Sequence, residues 1–341
     1  MTRIDDVARL AGVSTATVSR ALRGLPTVSD GTRQRVLEAA ARLGYTASPS
    51  ASRLAGGKTR SVAVVVPRIT RWFFSTVVEA AEEALHHAGY DLLLYNLGGR
   101  ERTRQRLLHT TNLHKRVDAL MLVATPLQAA DVAMIGKLAL PGITVSSGTD
   151  VPGWPSIRID DVAAARTATG HLLALGHRRI AHICGDGADE LAVSTHLDRR
   201  RGYLAALADA GVPADPRLNV EAEFTIGGGE RAMTELLRRE PPPTAVFAAS
   251  DEMAMGAMAA LRQAGLRVPQ DVSVIGIDDH DLAGVVGLST VAQPAAEQGR
   301  LAALALLRPL RDGTGHHDGA DPVILPTRLV VRESTAPPPG S

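Results

Sequence analysis

The sequence predicts an α/β protein in which a small all-α head precedes a larger core. Two patterns support this fold class. The first 45 residues contain three short helical segments, and from Ser61 onward short apolar strands alternate with Ala- and Leu-rich helices. With 341 residues, of which 45% are hydrophobic, the chain is long enough to form two or three packed domains.

The charge of the chain is concentrated at its amino-terminal end. Residues 1–60 contain ten basic and four acidic side chains, a net charge of +6, whereas the remainder carries −5. This asymmetry predicts a polyanionic partner for the basic part. Apolar runs are too short for the roughly 18 residues of a membrane span, and Asp5 and Asp6 lie where a signal peptide would be basic and then apolar. We therefore expect a cytoplasmic protein with no membrane partner.

The spacing of residues in the head predicts a helix-turn-helix. Apolar residues recur at helical spacing in a first helix from about Arg3 to Ala11. Gly12 permits a tight turn, and Ser14 is a good N-cap for a second helix that ends at about Leu22. A third helix is expected over about residues 29 to 43. The result is a three-helix domain of about 45 residues.

The second of these helices carries side chains that suit DNA. Such a helix fits the major groove and presents its first turn to base edges, while hydroxyl groups beside it bind phosphates. Arg20 is the side chain capable of bidentate guanine recognition. A helix-turn-helix also occurs as plain structure in all-helical proteins, so the geometry alone leaves both interpretations open. The candidate DNA-binding residues here are Ser14, Thr15, Ala16, Thr17, Ser19 and Arg20.

The core pattern predicts about two parallel sheets with helices on both faces. Continuous apolar strands, such as residues 62–66 and 180–184, are typical of such sheets. Ligands of doubly wound sheets bind at the carboxyl ends of the strands. The loops there carry aromatic, hydroxyl and carboxylate side chains and one arginine, which favours a polyhydroxylated ligand. Gly185-Asp186-Gly187 lacks the third glycine of a dinucleotide fingerprint, and we expect no cofactor.

Several runs of residues resemble one known family. The sequence IDDVARLAGVSTATVSRAL from Ile4 to Leu22, followed by Val28-Ser29, closely resembles the DNA-binding head of the lactose-repressor (LacI/GalR) family. In the core, LGHRRIA at 175–181, SDEMA at 250–254 and VIGIDD at 274–279 continue the resemblance, which covers nearly all of 61–333. It implies a transcriptional repressor that binds a palindromic DNA operator as a homodimer, controlled by a small sugar-like effector in the core.

The resemblance also implies a division into domains, with a periplasmic-binding-protein-like (type I) core. Residues 1–47 are expected to form the DNA-binding head, 48–60 a hinge helix or linker, 61–333 the effector-binding and dimerisation core, and 334–341 a disordered tail. Within the core, one subdomain is expected over about 61–159 and 291–320, and the other over about 160–290 and 321–333.

In this family a leucine of the hinge wedges into the minor groove of the operator. That role falls to Leu54, with Ala51 at the other matching place. A wedge of this kind unstacks a base step and therefore needs an apolar side chain. Without the resemblance, Leu54 is an ordinary linker residue.

Nine effector-binding residues follow from the resemblance. Arginine and aspartate side chains pair with vicinal hydroxyls, and an aromatic ring covers the apolar face of a sugar. Ser146 departs from the family, in which many members have Asp, and Trp72 replaces the Pro that usually precedes the Phe pair. We expect Trp72 either to cover the effector or to pack on a partner subunit. The nine residues are Phe73, Ser146, Asp160, Thr195, Arg199, Phe224, Ser250, Asp278 and Gln293.

Other functions find less support in the sequence. The histidine pair at 86–87 lies in a helix, where neighbouring side chains point about 100° apart, and the pair at 316–317 has no further ligands, so we expect no metal site. The aspartate pairs at 160–161 and 278–279 lack a nucleophile, which argues against glycosidase chemistry, and we do not expect an enzyme. The alternatives are the same regulator controlled by a protein corepressor or a non-sugar ligand and, more distantly, a stand-alone sugar-binding protein.

Overall fold

The computed structural model describes residues 3–22, 25–45, 58–110, 113–185, 194–312 and 321–339. The chain divides into two compact units, Met1–Thr59 and Arg60–Ser341, which are described separately. The hinge residues Ala51 and Leu54 lie outside the described residues. Within the described ranges, no helix is long and apolar enough to cross a membrane.

Among its described residues, the first unit contains three helices, as the sequence predicts. They are α1 (Ile4–Ala11), α2 (Thr15–Leu22) and α3 (Asp30–Arg42). Val7, Val18 and Val36, one from each helix, are fully buried and form the centre of a small apolar core. The turn between α1 and α2 has Gly12 at a φ of +69°, a left-handed conformation that glycine adopts without steric cost.

In the part that the structure describes, the second unit contains two six-stranded sheets, which confirms the predicted doubly wound core. The strands of the first sheet are β1 (Ser61–Val66), β2 (Asp91–Asn96), β3 (Ala119–Val123), β4 (Gly142–Val145), β5 (Ser156–Ile159) and β11 (Val323–Leu325). Those of the second are β6 (Ile180–Gly185), β7 (Asn219–Ala222), β8 (Ala245–Ala248), β9 (Ser273–Asp278), β10 (Ser289–Ala292) and β12 (Arg328–Val330). The first sheet has the order β11-β5-β4-β3-β1-β2 and is entirely parallel, while in the second, β12-β10-β9-β8-β6-β7, only the β12 edge is antiparallel.

Helices cover both faces of each sheet because the buried strands are apolar on both sides. On β1, Val62 and Val64 contact one helical layer, whereas Ala63 and Val65 contact the other. The helices of the first sheet are α4 (Trp72–His87), α5 (Glu101–Thr110), α6 (Ala129–Leu138) and α11 (Ala295–Asp312). Those of the second sheet are α7 (Asp161–Ala174), α8 (Thr195–Asp209), α9 (Ile226–Leu236) and α10 (Asp251–Gln263).

The strand pairing differs from the predicted subdomain division near the carboxyl end. The predicted second subdomain included 321–333, but β11 pairs in parallel with β5 of the first sheet, and only β12 pairs with β10 of the second. The chain therefore passes between the sheets after β5, after β10 and between β11 and β12. The second passage, at residues 293–294, joins β10 to α11.

The segment that follows β12 is a correction to the predicted disordered tail. Ser334 is buried and its hydroxyl donates a hydrogen bond of 2.6 Å to the Val274 carbonyl oxygen. The Val274 backbone N–H in turn donates to the Ser334 carbonyl oxygen at 2.8 Å. The Ala336 backbone N–H donates to the Ser273 hydroxyl at 3.0 Å. The buried polar groups at the start of β9 therefore form their hydrogen bonds with residues 334–336. These hydrogen bonds hold residues 334–336 in place.

Candidate functional site

One side of α2 presents polar groups to solvent. Val18 and Ala21 are buried, which turns the opposite side of the helix outward, and there Thr15, Ala16 and Arg20 are exposed. Ser14 caps the helix, because its Oγ accepts a hydrogen bond of 3.2 Å from the Thr17 backbone N–H. Ser14 is exposed, and Thr17 and Ser19 are half-buried at the margins of this surface. Ser14 and the five candidate residues of α2 therefore lie on or beside one exposed surface, which we call the α2 surface.

A cavity of about 450 Å³ lies in the second unit. Its walls come from residues at the carboxyl ends of strands of both sheets, which is the expected place for a ligand of this architecture. The structure brings eight of the nine predicted effector-binding residues to these walls. The eight are Phe73, Ser146, Thr195, Arg199, Phe224, Ser250, Asp278 and Gln293.

Asp160 is the ninth residue, and it does not line this cavity. Its carboxylate accepts a hydrogen bond of 2.9 Å from the Ala163 backbone N–H and so caps α7. The next residue, Asp161, lines the cavity instead. An aspartate directly before a helical segment is a common N-cap, and this local signal distinguishes the two neighbours.

A buried ion pair forms one wall of the cavity. Arg199 is only 4% exposed, and its Nε donates a hydrogen bond of 2.8 Å to Oδ1 of Asp161. The guanidinium also donates to the Ala249 carbonyl oxygen. Burial raises the pKa of the Asp161 carboxyl, and the charge of Arg199 opposes that rise. These contacts hold the guanidinium in one orientation beside the cavity.

Asp278, the last residue of β9, provides a second buried carboxyl. It is 6% exposed, and Oδ1 accepts a hydrogen bond of 2.6 Å from Nε2 of Gln293. Burial raises the pKa of this carboxyl, while the charge of Arg199 and the Gln293 hydrogen bond oppose the rise. The two acidic walls are therefore held by different partners, an arginine and an amide.

Backbone strain is concentrated at the cavity. Ala124, Ser146 and Asp278 line it with φ values of +39°, +49° and +140°, although none is glycine. Such conformations cost on the order of 1–3 kcal/mol each and persist where the surrounding structure holds them, as at ligand sites.

Sequence reasoning missed several residues of the walls. Glu252 is one of them: burial raises its pKa to about 7, and the nearby charge of Arg71 and a hydrogen bond from the Trp72 backbone N–H oppose that rise. The signal for Glu252 was present, because it lies two residues after Ser250 within the SDEMA run. The further lining residues are Pro67, Arg68, Arg71, Phe74, Ala124, Asp161, His196, Glu223, Thr225 and Arg231.

Trp72 begins α4 and is absent from the described cavity wall. Its indole lies against the imidazole of His280, which follows β9, with ring centroids 5.4 Å apart and planes tilted by 32°. The two rings come from elements that pack on different sheets, so they connect the two halves of the second unit. The part of the chain that the structure describes contains no cluster of His, Cys, Asp or Glu that could hold a metal ion.

Comparisons with known proteins agree with this architecture. Residues 3–48 match the family model for bacterial regulatory proteins of the lacI family, and residues 169–335 match that of the periplasmic binding protein-like domain. The chain is 34% identical over 333 residues to the transcriptional repressor CytR of Escherichia coli strain K12, covering 97% of this chain and 95% of that protein. It is 38% identical over 347 residues to the transcriptional regulator GalR of the same strain, covering 99% and 97% of the two chains.

Solved structures show the same relationship. The lac repressor dimer bound to operator and the anti-inducer ONPF has a TM-score of 0.83 against this chain, with 27% identity and coverage of 98% of this chain and 99% of that chain. The complex of the regulator CelR with cellobiose has a TM-score of 0.71, with 33% identity and coverage of 98% and 100%. The chain therefore belongs to the LacI family of bacterial regulatory proteins. It is a DNA-binding transcriptional regulator, like CytR and GalR.

Proposed function

We propose that this regulator is a cytoplasmic repressor that binds a palindromic operator as a homodimer, and that a polyhydroxylated small molecule in the cavity controls operator binding. One observation carries the proposal. The cavity combines the buried charged groups of Arg199 and Asp278, and the Asp161 carboxylate that pairs with Arg199, with the aromatic rings of Phe73 and Phe224.

The chemistry of these walls suits a sugar or sugar derivative. Charged side chains form strong hydrogen bonds with hydroxyl groups, and aromatic rings cover the C–H face of a pyranose or furanose. Two family members support this ligand class, since CelR was solved with cellobiose and an Enterococcus faecium regulator, 29% identical to this chain, was solved with ribose.

The α2 surface supports the DNA-binding part of the proposal. Its exposed first turn and Arg20 have the arrangement with which a recognition helix reads base edges in the major groove. A relative, the lac repressor dimer, was solved bound to operator, which supports DNA as the partner.

An apolar patch supports the dimer. Leu282, Val285 and Val286 lie in the segment between β9 and β10 and are 47%, 80% and 40% exposed. Exposed apolar side chains that lie this close together are typical of an interaction surface. In a two-fold dimer, two heads read two half-sites, which is why we expect a palindrome.

Control by the ligand requires different affinities in two conformations. A ligand that binds both conformations equally shifts no equilibrium, however tightly it binds. The cavity is built from both sheets, so its ligand contacts depend on how the two halves are arranged.

The test is fluorescence anisotropy of a labelled duplex taken from upstream of this protein's own coding sequence. Measurements at two salt concentrations, with competitor DNA, are made with and without D-ribose, cellobiose and other sugars. We expect salt-sensitive, specific binding that one of the sugars changes. Specific binding that ignores every sugar would favour a non-sugar ligand or a protein corepressor. If no specific binding is found there or by selection from random sequences, the repressor function is wrong.

A further inference from the structure

A chain of hydrogen bonds runs beneath the cavity and links its two sides. The Ser146 hydroxyl donates to Oε1 of Gln298 at 2.9 Å, and Nε2 of Gln298 donates to Oε1 of Gln293 at 3.1 Å. Nε2 of Gln293 then donates to Oδ1 of Asp278 at 2.6 Å. Ser146, Gln293 and Asp278 line the cavity, whereas Gln298 does not and is fully buried.

The chain of hydrogen bonds connects the two sheets. Ser146 directly follows β4 of the first sheet, and Asp278 is the last residue of β9 in the second. Gln293 lies where the chain passes from β10 to α11, and Gln298 lies on α11, which packs against the first sheet. Gln298 thus joins Ser146, which follows the first sheet, to Gln293, which in turn bonds to Asp278 of the second sheet.

The carboxylate of Asp278 determines the direction of every hydrogen bond in this chain. An ionised carboxylate can only accept, so the Gln293 amide must present its N–H groups to Asp278. The Gln293 oxygen then accepts from Gln298, and the Gln298 oxygen accepts from the Ser146 hydroxyl. Ser146 therefore uses its single proton within the chain and presents acceptor lone pairs to the cavity.

Packing alone does not account for Gln298. A buried amide costs on the order of 1–3 kcal/mol when its hydrogen bonds are missing, and an apolar side chain of equal length would fill the same space without that cost. Here both ends of the amide are satisfied, and both partners line the cavity. The arrangement fits a residue whose task is to orient its neighbours.

We propose that Gln298 is a positioning residue of the ligand site. Through Gln293 it holds Asp278, and directly it holds Ser146, so that both face the cavity as hydrogen-bond acceptors. The cavity then selects a ligand that donates hydroxyl hydrogen bonds toward both sheets. This inference rests on the proposed function, because it assigns the ligand-binding role of the same cavity.

The first test uses the full chain without ligand. Gln298→Met keeps the length of the side chain and removes its hydrogen bonds, and the ¹³C signal of the Asp278 carboxyl is followed by NMR as the pH is raised. Because the Gln293 amide is no longer held as a donor, we expect the titration midpoint of Asp278 to rise by about one pKa unit. A midpoint equal to that of the wild type would overturn the proposal, since a packing role alone leaves it unmoved.

A matched control and a second variant accompany this test. Gln263→Met removes a comparable amide hydrogen bond, from Nε2 to Oε1 of Glu230 at 2.8 Å, on the exposed side of α10. It should leave the Asp278 midpoint unchanged. If Gln298→Met does not fold, Ser146→Ala removes the donor at the far end, and a smaller upward shift is expected. No shift in this variant would contradict the chain of hydrogen bonds.

Ligand binding is measured in parallel by calorimetry with D-ribose and cellobiose. For a sugar that binds the wild type, Gln298→Met should weaken binding about tenfold or more, equivalent to one lost hydrogen bond, and Gln263→Met should not. Equal affinity in the two variants would overturn the positioning role. Absence of binding heat for every sugar, even with the wild type, would contradict the proposed ligand class, while the titration still decides the role of Gln298.

Discussion

The α2 surface and the cavity differ in how their polar side chains are supported. On α2, Thr15 and Arg20 are exposed, and the hydrogen bonds of the Ser14 cap are local. In the cavity, Arg199 and Asp278 are almost fully buried and bond to distant parts of the chain. Side chains that contact a DNA groove can remain exposed to solvent. In a cavity that encloses a small molecule, the charged side chains are instead shielded from water. Truncation of a side chain to alanine should therefore separate binding from stability on α2 and combine them in the cavity.

Arg199→Ala is expected to have the largest effect. It leaves the Asp161 carboxylate buried without its partner, so the free energy of unfolding should fall by about 3 kcal/mol. Ligand binding should be lost as well. Urea unfolding of the full chain and calorimetry with the inducing sugar measure the two effects.

The control for this prediction is Arg166→Ala. Arg166 also pairs with an aspartate, Asp209, but both side chains are more than half exposed. We expect a change in unfolding free energy of less than about 1 kcal/mol, because water already screens this pair. Similar losses in the two variants would contradict the importance of burial in the cavity.

Asp278→Asn should separate the two properties inside the cavity. The amide keeps the shape of the carboxyl but removes the charge, and hydrogen bonds to charged groups contribute about 1.5–3 kcal/mol. We expect ligand affinity to fall about 10- to 100-fold, with operator binding retained. Stability should hold or rise, since burial already disfavours the charged form. If the sugar changes operator binding of the variant as it does that of the wild type, Asp278 is not a ligand-binding residue.

Arg20→Ala should change DNA recognition without changing the fold. The side chain is exposed on α2, so unfolding should be shifted by no more than about 0.5 kcal/mol. Loss of a bidentate base contact costs about 1–3 kcal/mol of discrimination between correct and altered operators. Arg42→Ala, at the exposed end of α3, removes the same charge elsewhere in the head. If both variants lose specific and non-specific binding equally, Arg20 does not read bases.

The same difference between local and distant contacts explains how far the sequence predicts this protein. The helix-turn-helix is contiguous, so apolar spacing, Gly12 and Ser14 are enough to predict α1, α2 and the α2 surface. The alternation of long apolar strands with helices likewise predicts the two-sheet core. Short strands carry weaker signals: β10 has only four residues, two of which are the polar Ser289 and Thr290, and its place in the second sheet was not predicted.

The cavity is less accessible to sequence reasoning because its walls meet only in three dimensions. Family resemblance supplied eight lining residues, but the choice between Asp160 and Asp161 depended on which one caps α7. Gln298 is separated from Ser146 by 152 residues, and no spacing rule connects two such positions. The order of residues 334–336 depends in the same way on hydrogen bonds to β9, which a Pro-rich composition conceals.

Glu252 provides the smallest predicted effect and relates the cavity to pH. Burial, together with the nearby charge of Asp278, raises the pKa of its carboxyl from the usual 4.5 to about 7, against the opposing charge of Arg71. Below pH 4.5 the carboxyl is protonated in both states. Between about pH 4.5 and 7 the unfolded chain releases the proton that the folded chain retains, so folding stability falls as the pH rises.

Glu252→Gln should remove this part of the pH dependence. The difference in Tm, variant minus wild type, is expected to increase from pH 4.5 to 7 and to level off above that range, in thermal melts of the full chain. Glu79→Gln changes an exposed carboxylate on α4, and its curve should run parallel to that of the wild type, because water surrounds that group in both states. A Tm difference for Glu252→Gln that stays constant with pH would show that the Glu252 carboxyl is exposed to water in the folded protein. The contrast between buried and exposed charge would then not extend to this wall of the cavity.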